Sequence, residues 1–172
     1  MPVQRSPDEL QVGLVTDVGQ IDDGSFNQDA YEGLMKAAKK HNLEPIIVQT
    51  ESPDDYAANL RRVVEEGSTL VVTIGSRTGV QVERLAVRHP DVHFIVVDHE
   101  PDPESKNVTG LLFAEDQAGF LAGALAGLVS EKDTVGFVGG PDVAPVRKFR
   151  RGFKHGLAYT NPRADLIDTT TE

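Results

Sequence analysis

The sequence contains no cysteine, which excludes disulfides, zinc-thiolate sites and a cysteine nucleophile and leaves the redox compartment unread. Basic charge is also scarce. Lys and Arg number 17 against 27 Asp and Glu, a formal charge of −10, so broad nucleic-acid binding is not expected. No apolar run reaches the ~20 residues of a membrane span; the longest, Ala118 to Val129, is interrupted by glycines. Met1 to Leu10 lack the basic-then-apolar profile of a secretory leader, which reads as a cytoplasmic protein or as one whose leader has been removed. The five histidines form no metal-ligand pair at helical spacing and no nucleophile-base partnership, so no metal, cofactor or catalytic residue is expected.

What is present is an alternation of short β-branched runs with longer helical patterns, the sequence form of βαβ units. It predicts an α/β fold, a Rossmann-like parallel sheet with helices on both faces. Val12, Leu14 and Val15 begin the first strand. Ser25 and Gln28 stand at the spacing of a capping box, so a helix should start at Phe26 and run to about His41, with Ala30, Leu34, Ala37 and Ala38 turned inward. Pro45 to Val48 is a second strand. Ser52-Pro53-Asp54-Asp55 is a strong helix start, with a cap, a proline and two acids in the first turn, leading into a stripe of Tyr56, Leu60, Val63 and Val64. Further strands fall at Thr69 to Ile74, His93 to Val97, Val108 to Phe113, Thr134 to Val138 and Ala164 to Thr170.

The candidate site lies where the first strand gives way to the first helix. Phe26 reads either as the first core residue of the helix or, with Asn27, as a ligand shelf that places an aromatic ring and a two-way hydrogen-bonding amide beside free backbone N–H groups at a helix start. Asp17, Asp22 and Asp23 stand close by. That combination suits a flat heteroaromatic ligand carrying hydroxyls and disfavours phosphate. The loop Gly75-Ser76-Arg77-Thr78-Gly79 reads as a tight turn; it could cradle an anion through its backbone but lacks the lysine of a P-loop. Asp98 closes the fourth strand at the carboxyl edge, where open α/β sheets bind ligands, and Arg147 could reach that edge from the first turn of a late helix.

Two other patterns stand out. Gly119, Gly123 and Gly127 recur every four residues and form a smooth ridge, fit for close packing against the sheet or a partner's helix. The helix opened by Pro145 turns Val146, Phe149, Phe153 and Leu157 inward and carries Arg147, Lys148, Arg150, Arg151, Lys154 and His155 elsewhere. That basic cluster reads as a solvated face, because no exposed aromatics interleave it.

The chain resembles the basic membrane protein family of ABC-transporter solute receptors, whose characterised members include purine-nucleoside receptors. The likeness rests on Asp17-Val-Gly-Gln-Ile-Asp-Asp-Gly-Ser-Phe-Asn-Gln28, Tyr31-Glu-Gly33, Phe94-Ile-Val-Val-Asp98, Glu115-Asp-Gln-Ala-Gly-Phe-Leu-Ala-Gly123 and Val135 to Arg147 through Gly152-Phe153. It implies a type 1 periplasmic-binding fold of two Rossmann-like lobes, the first ending near Glu131 and the second, begun at Lys132, holding only its first βαβ unit; the terminal strand makes the chain read as cut short. By that likeness Phe26 stacks on a purine, Asn27 bonds its edge, and Asp17 and Asp98 face the cleft, Asp98 toward ribose hydroxyls; Asp22 and Asp23 shape the loop.

The function implied is that of a binding protein and not an enzyme, delivering a nucleoside-type ligand to an ABC permease, held outside the cytoplasm by a lipid anchor in the parent form. The alternative is a cytoplasmic ligand-sensing regulatory domain of the same fold. A Mg²⁺-dependent phosphoryl-transfer enzyme using Asp17, Asp22 and Asp23 is disfavoured, since no lysine accompanies them. Self-association to a homodimer is expected from the open edge of an incomplete sheet.

Overall fold

The computed structural model describes residues 10–171; the reading of Met1 to Leu10 as lacking a secretory-leader profile falls outside them except for Leu10, and Glu172 lies outside them as well. The elements run β1 (Val12–Val18), α1 (Phe26–His41), β2 (Ile46–Thr50), α2 (Tyr56–Glu65), β3 (Leu70–Thr73), α3 (Gly79–Ala86), β4 (His93–Val97), β5 (Val108–Leu111), α4 (Glu115–Val129), β6 (Thr134–Gly139), α5 (Ala144–Thr160) and β7 (Asp165–Thr170). They group into two compact units, one ending at Leu112 and the other starting at Phe113.

The first unit is a five-stranded sheet in the order β2-β1-β3-β4-β5, with every pairing parallel. From β1 the chain steps outward one way to β2 and, from β3 on, the other way. Right-handed crossovers then place α1 on one face and α2 and α3 on the other. The face beneath α2 and α3 carries the core: Val15, Val48, Val71, Phe94 and Val96 are buried against Leu60, Val63 and Val82. The β1–β3 junction, where the order reverses, is the position at which open α/β sheets take ligands beyond the strand ends.

Local sequence explains most boundaries. Ser52 accepts from the Asp54 backbone N–H while Asp55 accepts from that of Ser52, a complete capping box over the 3₁₀ turn Pro53–Asp55 that leads into α2. Asn42 ends α1 in the left-handed region at φ 53 with its N–H on the Ala38 carbonyl. The α1 start at Phe26 is as the sequence predicts, but its cap is not: Ser25 makes no side-chain cap bond. Ala37, expected inward, is exposed. The helix meets the sheet along a narrow stripe in which Asn27 and Ala38 are its buried residues.

In the second unit β6 and β7 pair in parallel from Thr134↔Asp165 to Gly139↔Thr170. Their core is small, Val135, Phe153 and Leu157 with half-buried Phe137 and Phe149, and Val138 and Ile167 remain exposed. The glycine ridge has a definite occupant, and it is neither the sheet nor a partner's helix. A Cβ on Gly119 or Gly123 would overlap the carbonyl oxygen of Phe149 or Phe153, and on α5 a Cβ on Gly152 or Gly156 would overlap that of Asp116 or Phe120. The two helices therefore interlock backbone to backbone, and the Thr160 hydroxyl donates across to the Ala124 carbonyl at 2.9 Å.

The basic cluster on α5 is likewise more engaged than a solvated face. Arg150 and Lys154 both reach Asp168 Oδ2 at 2.7 Å, Arg147 pairs with Asp142 at 3.3 Å and Lys148 with Glu115 at 3.9 Å. Burial opposes ionisation of Asp168, but Lys154 and Arg150 outweigh it and lower its pKa.

Candidate ligand-binding site

Asp17 sits at a defect in the ladder. Val15 pairs with Val48, but the next pair is Val18 with Thr50, so β1 carries one extra residue over Thr16–Asp17, a β-bulge of the kind that re-aims a side chain. Two hydroxyls repair the interrupted pairing: Thr50 N–H donates to Thr16 Oγ1 at 3.0 Å and Thr50 Oγ1 to the Thr16 carbonyl at 2.8 Å. The Asp17 carboxylate is then held from three sides. Its Oδ1 accepts from the Val18 N–H at 2.8 Å and from the Tyr56 hydroxyl, and Oδ2 lies over Gly75, where a Cβ would come within 2.5 Å of it. Gly75, at φ 92, is thus required by conformation and by space.

Phe26, the first residue of α1, is 60% exposed; it is not a core residue and offers its ring to solvent. Asn27 beside it is 2% exposed. Its Oδ1 accepts from the Asp17 N–H at 3.0 Å and its Nδ2 donates to the Asp17 carbonyl at 3.4 Å. Where the sequence suggested a group open to a base edge, the structure places a brace tying the first turn of α1 to the end of β1.

Asp23, and not Ser25, caps that helix. Its Oδ1 accepts from the Ser25 and Gln28 N–H groups at 2.8 and 3.1 Å and its Oδ2 from the Asn27 N–H at 3.4 Å. A carboxylate with two oxygens within reach of several orphan amides outcompetes a single hydroxyl, and Gln28 turns back to accept from Gly24 at 3.0 Å. Burial acts to raise the Asp23 pKa, but the amides of Ser25, Gln28 and Asn27 prevail and lower it. A folded-state pKa below the unfolded value of about 3.9 means the cap stabilises at neutral pH and is lost as pH falls through the lowered value. The Ser25 and Gln28 amide resonances should therefore titrate with a midpoint below about 3.9; a midpoint at or above that value would refute the cap.

Ser76 opens a 3₁₀ turn, Ser76–Thr78, after Gly75, and Thr78 fastens it by donating its hydroxyl to the Gly75 carbonyl at 2.8 Å. Asp98 follows β4 in the left-handed region at φ 63, a conformation aspartate tolerates better than most residues, and its N–H donates to the Leu111 carbonyl at 2.9 Å. Next to it His99 is half-buried: its ring packs on Gly79 and its Nε2 lies 3.3 Å from Glu83. Glu83 also accepts from Ser105 Oγ and, at 2.9 Å, from the Asp102 N–H, which fastens the loop between β4 and β5. Burial works to raise the Glu83 pKa; Ser105, Asp102 and His99 together lower it. Asp17, Phe26, Asn27, Gly75, Ser76 and Asp98 all stand at or just beyond the carboxyl edge of the first unit. Arg147 belongs to the second unit, where its Nη1 donates to the Asp142 carbonyl at 2.9 Å. Tyr56, read from the sequence only as core, is the residue that reading missed; the signal was its place in the first turn of a helix that begins at this same edge. Among the described residues no cluster of His, Asp and Glu is suited to hold a metal ion, and no helix is long and apolar enough to cross a membrane.

A family model described as ABC transporter substrate-binding protein PnrA-like, the Bmp family, matches residues 10–171. The chain belongs to the Bmp family. It is 34% identical over 167 residues to a CD4+ T-cell-stimulating antigen of Listeria innocua, covering 94% of this chain and 46% of the relative. It is 31% identical over 152 residues to the ABC transporter nucleoside-binding protein BmpA of Lactococcus lactis, covering 86% and 43%. Among solved structures, an ABC transporter solute-binding protein from Aeropyrum pernix K1 superposes with a TM-score of 0.82 at 25% identity, covering 95% of this chain and 47% of that one. This Bmp chain therefore spans about half the length of the curated relatives it matches. The family is one of solute-binding proteins and not of enzymes, and the parallel five-stranded unit is a lobe of the type 1 periplasmic-binding fold.

Proposed function

We propose that this Bmp chain carries the first-lobe half of a binding site for a purine nucleoside, in a receptor that delivers its ligand to an ABC permease. The observation that carries the reading is the exposed Phe26 ring on the first turn of α1, a turn that Asn27 ties to the backbone of Asp17 at the sheet's reversal point, where Tyr56 and the Val18 N–H hold the Asp17 carboxylate. An exposed aromatic at a helix start offers a stacking face for a flat base, and a carboxylate accepts hydrogen bonds from a vicinal diol. Asp98 is the second carboxylate assigned to the ribose. Gly75 and Ser76 stand at the same edge of this lobe and are assigned to the site. Asn27 holds the shelf in place. The Lactococcus lactis relative, named as nucleoside-binding, supports the same ligand class. A lipid anchor outside the cytoplasm belongs to the proposal as well.

Calorimetric titration of the full-length protein tests it. Inosine, guanosine or adenosine should bind saturably, and free ribose should bind far more weakly. Equal affinity for ribose would show that no base is being stacked and would remove the nucleoside from the reading.

A further inference from the structure

Tyr56 is 1% exposed and occupies the first position of α2, delivered there by the Ser52 capping box. Its ring would fill its place in the core equally well as phenylalanine. The hydroxyl is what needs explaining, since a buried phenol must find a partner, and the partner it has is Asp17 Oδ1. That oxygen already accepts from the Val18 N–H at 2.8 Å. Oδ2 lies over Gly75, the one residue type that leaves it room.

We infer that Tyr56 is a positioning residue of the binding site, holding Asp17 Oδ1 so that Oδ2 is presented at the carboxyl edge as the acceptor for a ligand hydroxyl. This rests on the nucleoside reading above and assigns the two oxygens of Asp17 different tasks. With Oδ1 fixed by two donors the carboxylate has no freedom to rotate, so a hydroxyl arriving at Oδ2 meets an acceptor already aimed, which removes part of the ordering cost of binding. Burial, then the hydrogen bond to Asp17 and its charge, push the Tyr56 hydroxyl up to about 12, against the opposing pull of the Val18 N–H and Arg77. The phenol therefore keeps its proton and remains the donor.

A double-mutant cycle separates this role from plain packing. Purine nucleoside is titrated into wild type, Y56F, D17N and the Y56F/D17N double variant. Y56F should lower the melting temperature modestly, since it removes a hydrogen bond to a charged group from the ligand-free protein, and bind about tenfold more weakly because Asp17 must then be ordered on binding, while in the D17N background it should cost the affinity nothing further. Unchanged affinity in Y56F, or losses that simply add, would overturn the assignment. Ultraviolet tyrosinate titration of the ligand-free protein gives an independent readout. Of the three tyrosines, one should titrate at about 12 in wild type and fall toward the ordinary range in D17N; identical curves would show that the bond to Asp17 is not made and would also overturn it. If wild type binds no purine nucleoside while the tyrosinate shift is present, the nucleoside reading has failed and the ligand role of Oδ2 falls with it, although the Tyr56–Asp17 pair stands.

Discussion

Phe26→Ala should lower the affinity of the full-length protein for a purine nucleoside by roughly 1–3 kcal/mol, about 5- to 150-fold. The magnitude is what base–aromatic stacking supplies when a ring is truncated to a methyl group. The same change should leave the fold almost untouched, because the ring is 60% exposed and surface truncations seldom move stability by more than about 0.5 kcal/mol. That contrast makes the experiment decisive. A core phenylalanine would do the opposite, costing several kcal/mol of stability and reaching the ligand only through unfolding. Titration calorimetry beside a thermal melt reads both quantities, and undiminished affinity would take Phe26 out of the site.

Gly156→Leu should destabilise the second unit by more than about 3 kcal/mol, beyond the usual cost of an overpacked core. The reason is what the added carbon would strike. At Gly156 it would meet the Phe120 carbonyl oxygen and approach the Ala124 backbone nitrogen, and backbone cannot rotate away as a side chain can. Relief would require α4 and α5 to separate, and Val135, Phe153 and Leu157, the buried cluster of this unit, are too few to hold the pair at a wider spacing. Limited proteolysis with mass mapping should show cuts confined to the segment after Phe113, and a variant that remains as resistant as wild type would refute the interlock.

Much of this was legible in the sequence because it is governed by local rules. Strand and helix alternation, the start of α1 at Phe26 and the capped, proline-bearing helix start at Ser52 to Asp55 all depend on residues within a few positions of each other. What escaped was set by meetings between distant segments. The bulge at Thr16–Asp17 exists only in the register of β1 against β2, and the Tyr56 hydroxyl is separated from its acceptor by 39 positions. The choice of Asp23 over Ser25 as cap was a near competition, since both residues precede the helix and only the loop's path decides which oxygen meets the amides. Gly152 and Gly156 were visible four apart on α5, matching the ridge on α4, yet sequence alone does not say that two small-residue faces will find each other.

The extra residue in β1 also acts as a reading frame for recognition. Along a regular strand the side chains alternate between faces, so the facing of any position is fixed by the parity of the count that leads to it. The bulge at Thr16–Asp17 changes that parity by one at the carboxylate itself, and everything from Val18 onward inherits the shift. The exposed loop between Gly19 and Ser25 can gain or lose residues without altering which way Asp17 looks, because the change comes after the count is complete. An insertion between Val15 and Asp17 would leave the composition of the edge nearly unchanged and turn its acceptor to the wrong side of the sheet.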